Sequence, residues 1–218
     1  MPLLAGAQNY PVKPVRFMVG FPPGGTNDLI IRAIAQKLTE QMGQQFVVEN
    51  RGGANTAIAS EMFARTAAPD GYTIMLNAPG HATNPAMMKL NFDPIRDFAF
   101  ITIAAQSVNL LVTHPSLPAK SVKELLAISR ARPGDIGYAT PGNGTFNHVI
   151  AEWMSSAAGI KLQHIPYRGG AAAANGIAAG DVPLGVLSPP AIQGLLDIGR
   201  VKVLALTGKN RPVLAGQR

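Results

Sequence analysis

The chain has 218 residues, 47% of them hydrophobic, no cysteine, and a formal net charge of +7. A chain of that length holds one large core or two smaller ones, since domains commonly run to about 100 to 200 residues. Absence of cysteine excludes disulfides, thiolate catalysis and Cys-ligated metals, and no apolar run approaches the roughly 20 residues that cross a bilayer. The positive charge is scattered singly, the densest group being Ser129 to Gly134, and aromatics make up only 6% of residues. Basic stripes and stacking platforms for nucleic acid are absent, whereas a diffuse positive field suits the collection of small anions.

At the N-terminus, Ala5-Gly6-Ala7 before Gln8 has the A-x-A form of a signal-peptidase site, so residues 1–9 read as the stub of a signal peptide. An apolar run, Val15 to Gly20, then has the length of a strand, and the run from Asp28 to Gln41 has the spacing of a helix. Between them lies "FPPGGTND", Phe21 to Asp28. Two readings compete there. One is a tight βα turn; the other is an anion site, with backbone N–H groups bared by Gly24 and Gly25 and the helix dipole behind them. Glycine would serve the second reading by reaching positive φ and by carrying no Cβ to block an approaching anion.

Further along, strands are expected at Phe46 to Asn50, Tyr72 to Asn77, Phe100 to Ala104, Asn109 to Thr113, Ile136 to Ala139, Leu162 to Pro166, Val182 to Leu187 and Val201 to Leu206. Helices are expected at Ala57 to Thr66, Val122 to Arg130, Phe146 to Ala158, Ala171 to Ala179 and Ala191 to Ile198, with a capping box at Ser121 and Glu124. Alternation of this kind predicts α/β architecture with largely parallel sheets. The Pro-containing "THPSLPAK" suits a crossing between domains near Thr113 to Pro118. "GYATPGNGTFNHVIAEWM" and "LQHIPYRGGAAAANGIAAG" then repeat the opening strand, glycine loop and helix. Ligands of open α/β sheets lie beyond the carboxyl ends of the strands, so three such loops predict a cleft lined with backbone donors.

Together "PPGGTND", "VVENRGGANTAIASEMFARTAAPDGYTIMLN", "YATPGNGTFNHVIAEWM" and "IPYRGG" resemble the Bug family, the extracytoplasmic solute receptors of tripartite tricarboxylate transporters. The match runs in order from about Tyr10 to about Arg211. The resemblance implies a periplasmic, two-lobed periplasmic-binding-protein (Venus-flytrap) architecture that captures a small organic carboxylate and presents it to membrane transporter subunits. It implies a first α/β lobe over 10–113, a second over 114–206, and the start of a return segment at 207–218. Family members continue further and complete the first lobe, so its C-terminal part is expected to be missing, leaving apolar surface uncovered; the full-length protein is expected to be a monomer. Pro183 stands where an acidic residue is common in the family.

Carried over by motif, Phe21, Pro23, Gly24, Gly25 and Thr26 would form the first-lobe loop, with Asn77, Ala78, Gly80 and His81 beside it. Gly142, Asn143, Gly144 and Thr145, with His148 one turn on, and Arg168, Gly169, Gly170 and Ala171 would form the second-lobe loops. Thr145 also reads as a helix N-cap, His148 as a packed or loop-bracing residue, and Asp28 as a structural carboxylate complementing its helix dipole. Arg168 offers either a planar fork for a carboxylate or a solvated surface charge. His81, His114 and His164 lack metal-ligand spacing, so no metal or cofactor is expected. "PGNGT" lacks the Lys-Ser/Thr of a nucleotide-binding P-loop, and no GxSxG elbow occurs, which disfavours an enzyme of anionic substrates. A carboxylate sensor signalling to a membrane kinase would use the same site as a transport receptor.

Overall fold

A computed structural model describes residues 10–208. The cleavage motif at Ala5 to Ala7 and the return segment beyond Gly208 lie outside the described residues. Two sheets organise the chain. The first holds β1 (Val15–Val19), β2 (Phe46–Asn50) and β3 (Thr73–Leu76) in the order β2-β1-β3, all parallel. As the central strand, β1 has neighbours on both edges and reads as an almost unbroken apolar run, with only Arg16 exposed. Helix α1 (Thr26–Met42) covers one face with Ile31 and Ala35, meeting Val15, Phe17, Val19 and Phe46 in a single core cluster. It ends at Gly43, whose φ of 67° lets its N–H turn back to Thr39 O. Helix α2 (Ala57–Thr66) and helix α3 (Gly80–Met87) complete this lobe.

The second sheet holds β4 (Leu110–Thr113), β5 (Gly137–Thr140), β6 (Gln163–Pro166), β7 (Leu184–Leu187) and β8 (Lys202–Leu206), in the order β6-β5-β7-β4-β8. Here β4, β5 and β7 are buried at every residue, and side chains alternate between two cores. Leu110, Val112, Ala139 and Leu187 face helices α6 (Gly170–Ala179) and α7 (Pro189–Asp197). Leu111, Tyr138, Leu184 and Val186 face α4 (Val122–Ala131) and α5 (Phe146–Ala158). Ser121 caps α4 by accepting from Glu124 N, while Glu124 Oε2 takes the N–H of Lys120 rather than that of Ser121.

Three expectations need correction. The crossing from the first sheet falls before Asn109, not near Thr113 to Pro118, because β4 already lies inside the second sheet. A strand arriving from the cleft end runs opposite to strands that point toward the cleft, and β4 is antiparallel to both β7 and β8. The second sheet is therefore mixed. Among the described residues Phe100 to Ala104 forms no strand: no ladder there pairs with it, and Phe100, Ile101 and Ile103 are 69–75% exposed. Finally, α3 was not anticipated, since Pro85 inside it breaks the sequence signal for a helix.

Candidate functional site

Phe21 to Thr26 forms the turn from β1 into α1. Gly24 holds the positive φ, +79°, whereas Gly25 is extended at φ −83° and a Cβ there would meet only Pro22 O at 3.6 Å. Nor is the Gly24 N–H available to a ligand, because it donates to Asp28 Oδ2 at 2.9 Å. Asp28 is almost fully buried and also accepts from Arg32 Nε and Asn50 Nδ2, each at 2.9 Å. Burial pushes its carboxyl up, but the hydrogen bonds from Arg32, Gly24 and Asn50 outweigh it and hold the pKa below the ordinary 3.8. Asp28 thus organises the loop from behind with its charge paired. The donors left over are the N–H groups of Gly25, Thr26 and Asn27, which have no partner among the described residues.

The second-lobe loops are braced in a different way. Thr145 caps α5 by accepting from His148 N, and its hydroxyl donates to Gly142 O at 2.8 Å. Gly144, at φ +72°, donates to His148 Nδ1, while Gly142 N donates to Thr140 Oγ1 and Thr140 Oγ1 is hydrogen-bonded to His164 Nε2. The His148 and His164 rings stack 3.9 Å apart, and Tyr138, hydrogen-bonded to Glu152, stacks on His164. Burial, then the neighbouring His148 ring, lower the His164 pKa to about 4, so this ring is neutral at pH 7. Phe146 and Asn147 at the start of α5, and Gly170, Ala171 and Ala172 at the start of α6, keep their N–H groups unpartnered among the described residues. Helix α7 differs, because Pro189 and Pro190 carry no N–H at its first turn.

These starts of α1, α5 and α6 line one cavity of about 1280 Å³. Of the residues singled out from sequence, Phe21, Pro23, Gly25, Thr26, Asn77, Ala78, Gly80, Thr145, Arg168, Gly169, Gly170 and Ala171 border it. Arg168 is exposed there and has no ion pair among the described residues. Gly24, Gly142, Asn143, Gly144, His81 and His148 do not border the cavity. His81 packs edge-on to Phe98 and Phe100, takes a hydrogen bond from Asn77, and is hydrogen-bonded through Nε2 to Pro94 O. Much of the remaining wall is apolar and comes from the first lobe, including Ile34, Leu38, Phe63, Phe98 and Ile101.

Sequence reasoning missed the turn between β2 and α2. Ala54, Asn55 and Thr56 all have positive φ, 44°, 49° and 75°. Each such non-glycine residue costs about 1 to 3 kcal/mol, and a β-branched Thr is an outlier. Gly20 and Gly80 accommodate it, since a Cβ on Gly20 would stand 2.6 Å from Thr56 Cβ and one on Gly80 2.5 Å from the Asn55 amide. The one hint in sequence was Asn55 itself, the non-glycine type that best tolerates the left-handed region.

The fold, two α/β sheets meeting at a cleft, is that of periplasmic binding proteins. The Rpa4515 protein of R. palustris, whose structure contains adipate, superimposes with a TM-score of 0.89 at 33% identity, over 94% of this chain and 70% of that one. A protein of Cupriavidus necator encoded in the gbd 5' region is 32% identical over 97% of this chain and 64% of its own length. Protein BugT of Bordetella pertussis is 31% identical over 94% and 64%. The model of the tripartite tricarboxylate transporter family receptor matches residues 30–214, and the chain belongs to that family. It spans just under two thirds of the length of the curated relatives it matches.

Proposed function

We propose that this chain is the ligand-capturing part of a periplasmic receptor, which holds a small organic carboxylate between its lobes and delivers it to a tripartite tricarboxylate-type membrane transporter. One observation carries the reading: three helix N-termini from both lobes, each with unpartnered N–H groups, border one cavity together with Arg168. Each N-terminus carries the equivalent of roughly half a positive charge. Donors fixed before binding stabilise an anion without reorganising, and the Arg168 guanidinium supplies a planar fork for one carboxylate end. The bound acid is held, not transformed. Helix N-termini and one arginine bind and orient a carboxylate, and the family to which the chain belongs consists of receptors. The adipate in the R. palustris relative makes a dicarboxylate the first candidate.

The test is thermal denaturation with a panel of mono-, di- and tricarboxylates, adipate included. A ligand that binds only the folded protein stabilises it by about 2.7 kcal/mol at a hundredfold excess over its Kd. At least one acid is expected to raise Tm, with ATP and divalent metal ions inert; a flat response across the panel would remove the carboxylate reading. In titration calorimetry, Arg168→Ala is expected to weaken the best acid by about 1.5 to 3 kcal/mol, the worth of a charge-assisted hydrogen bond.

A further inference from the structure

The strained turn Ala54 to Thr56 carries Asn55 into the space between the lobes. Its Nδ2 donates to Asn84 Oδ1 at 2.9 Å within the first lobe and to Gly144 O at 2.7 Å in the second. Asn84 Nδ2 returns a hydrogen bond to Asn55 O at 2.9 Å, so both side chain and backbone of Asn55 are held from α3. Only 9% of Asn55 is exposed, and its Oδ1 is buried with no hydrogen-bond partner among the described residues. Gly144, which receives this bond, is fixed from its own lobe by His148 and lies in the loop that leads into the α5 N-terminus.

We infer that Asn55 is the latch between the lobes, a positioning residue that holds the Gly142 to Thr145 loop against the first lobe in the closed state. Three features of the turn fit that role and no purely local one. Backbone strain persists only where the surroundings over-determine it, and here the left-handed turn aims an amide across the cleft. Both hydrogens of the amide are used, one for each lobe, so the bond to Gly144 exists only when the lobes are together. The buried Oδ1 makes the latch releasable, because opening the cleft exposes to water an acceptor that has no protein partner among the described residues when the lobes are together. The Asn55 to Gly144 bond then favours closure while one buried acceptor opposes it, and a bound ligand tips the balance. The role in ligand retention rests on the receptor reading above, whereas the latch itself does not.

The chain has no cysteine, so spin labels can be placed at Gln41→Cys on α1 and Lys123→Cys on α4, both exposed, and the distance between lobes read by pulsed electron paramagnetic resonance. Asn55→Asp keeps the size and the tolerance of positive φ but turns an acceptor toward Asn84 Oδ1 and Gly144 O. Asn55→Gly removes the amide and relieves the strain, which protects the test against a variant that fails to fold. Both variants are expected to shift the distance distribution to longer values without ligand, and to release adipate at least tenfold faster. Unchanged distances in folded Asn55→Gly would overturn the latch. Should adipate and the rest of the panel not bind the parent chain, the receptor reading falls and the distances still decide the latch.

Discussion

The two sheets bury themselves to different degrees. In the second, β4, β5 and β7 are buried at every residue and each face has its own core, whereas in the first, β3 is only half-buried and a single cluster gathers beneath α1. The polar supports differ as well. The first-lobe loop is tied by one buried carboxylate, Asp28, and the second-lobe loop by a stacked pair of rings, His148 and His164. The thinner lobe carries the strained turn and the exposed Phe100, Ile101 and Ile103.

The comparison breaks most readily at the cores. Leu184→Ala, at a fully buried position of β7, is expected to cost about 2 to 5 kcal/mol through lost burial and the cavity left behind. Ile34→Ala, on a partly buried face of α1, should cost about 1 kcal/mol, because less apolar area is lost. Urea denaturation checks both, and similar losses would mean that the lobes are equally well packed. Next in size is Asp28→Asn, expected to cost about 2 kcal/mol by weakening the hydrogen bonds from Arg32 and Gly24 to a charged acceptor. Hydrogen exchange should show the loosening confined to β1, β2 and α1.

Acid should separate the lobes in a set order. His164 has a pKa of about 4 when folded, below the ordinary 6.5, so between these values the unfolded chain binds the extra proton. Its contribution is complete above pH 6.5 and is lost as the pH falls to about 4. Asp28, held below 3.8, contributes above that value and loses its contribution only as the pH falls through the lower folded pKa. The second lobe should therefore loosen first on acidification, visible as faster amide exchange in β5 and β6 at pH 5, and His164→Asn should flatten that response. The smallest effects belong to the opening loop. Gly24→Ala, at φ +79°, should cost about 1 kcal/mol, while Gly25→Ala, extended and uncrowded, should leave stability nearly unchanged. Any loss of ligand affinity in Gly25→Ala would then report on the anion and not on the turn.

Much of this molecule was legible in local pattern. Helices α2 and α5 and strand β2 fall on the residues that periodicity and capping selected, because their signals, an apolar stripe and a Thr145 cap, are complete within a dozen residues. The glycine loops after β1, β5 and β6 were found for the same reason, and twelve of the eighteen residues singled out from sequence border the cavity. Local pattern misled wherever partners are distant. Phe100 to Ala104 has strand composition, but a strand exists only against a neighbouring ladder. The antiparallel entry of β4 follows from which end of the sheet the crossing reaches.

Backbone donors are equally blind to sequence: Gly24 N–H is consumed by a carboxylate four residues on, while Gly25 N–H beside it has no partner among the described residues. Sequence by itself determined the family, the two α/β units and the three loop-to-helix starts, since each is written in contiguous residue types. Tertiary structure alone decided which N–H groups remain unpartnered, that His148 and His164 meet, and that Asn55 reaches Gly144 across 89 positions of chain. Hydrogen bonds act over about 3 Å, and whether two groups come that close depends on how the sheets and helices pack, which no short stretch of chain encodes.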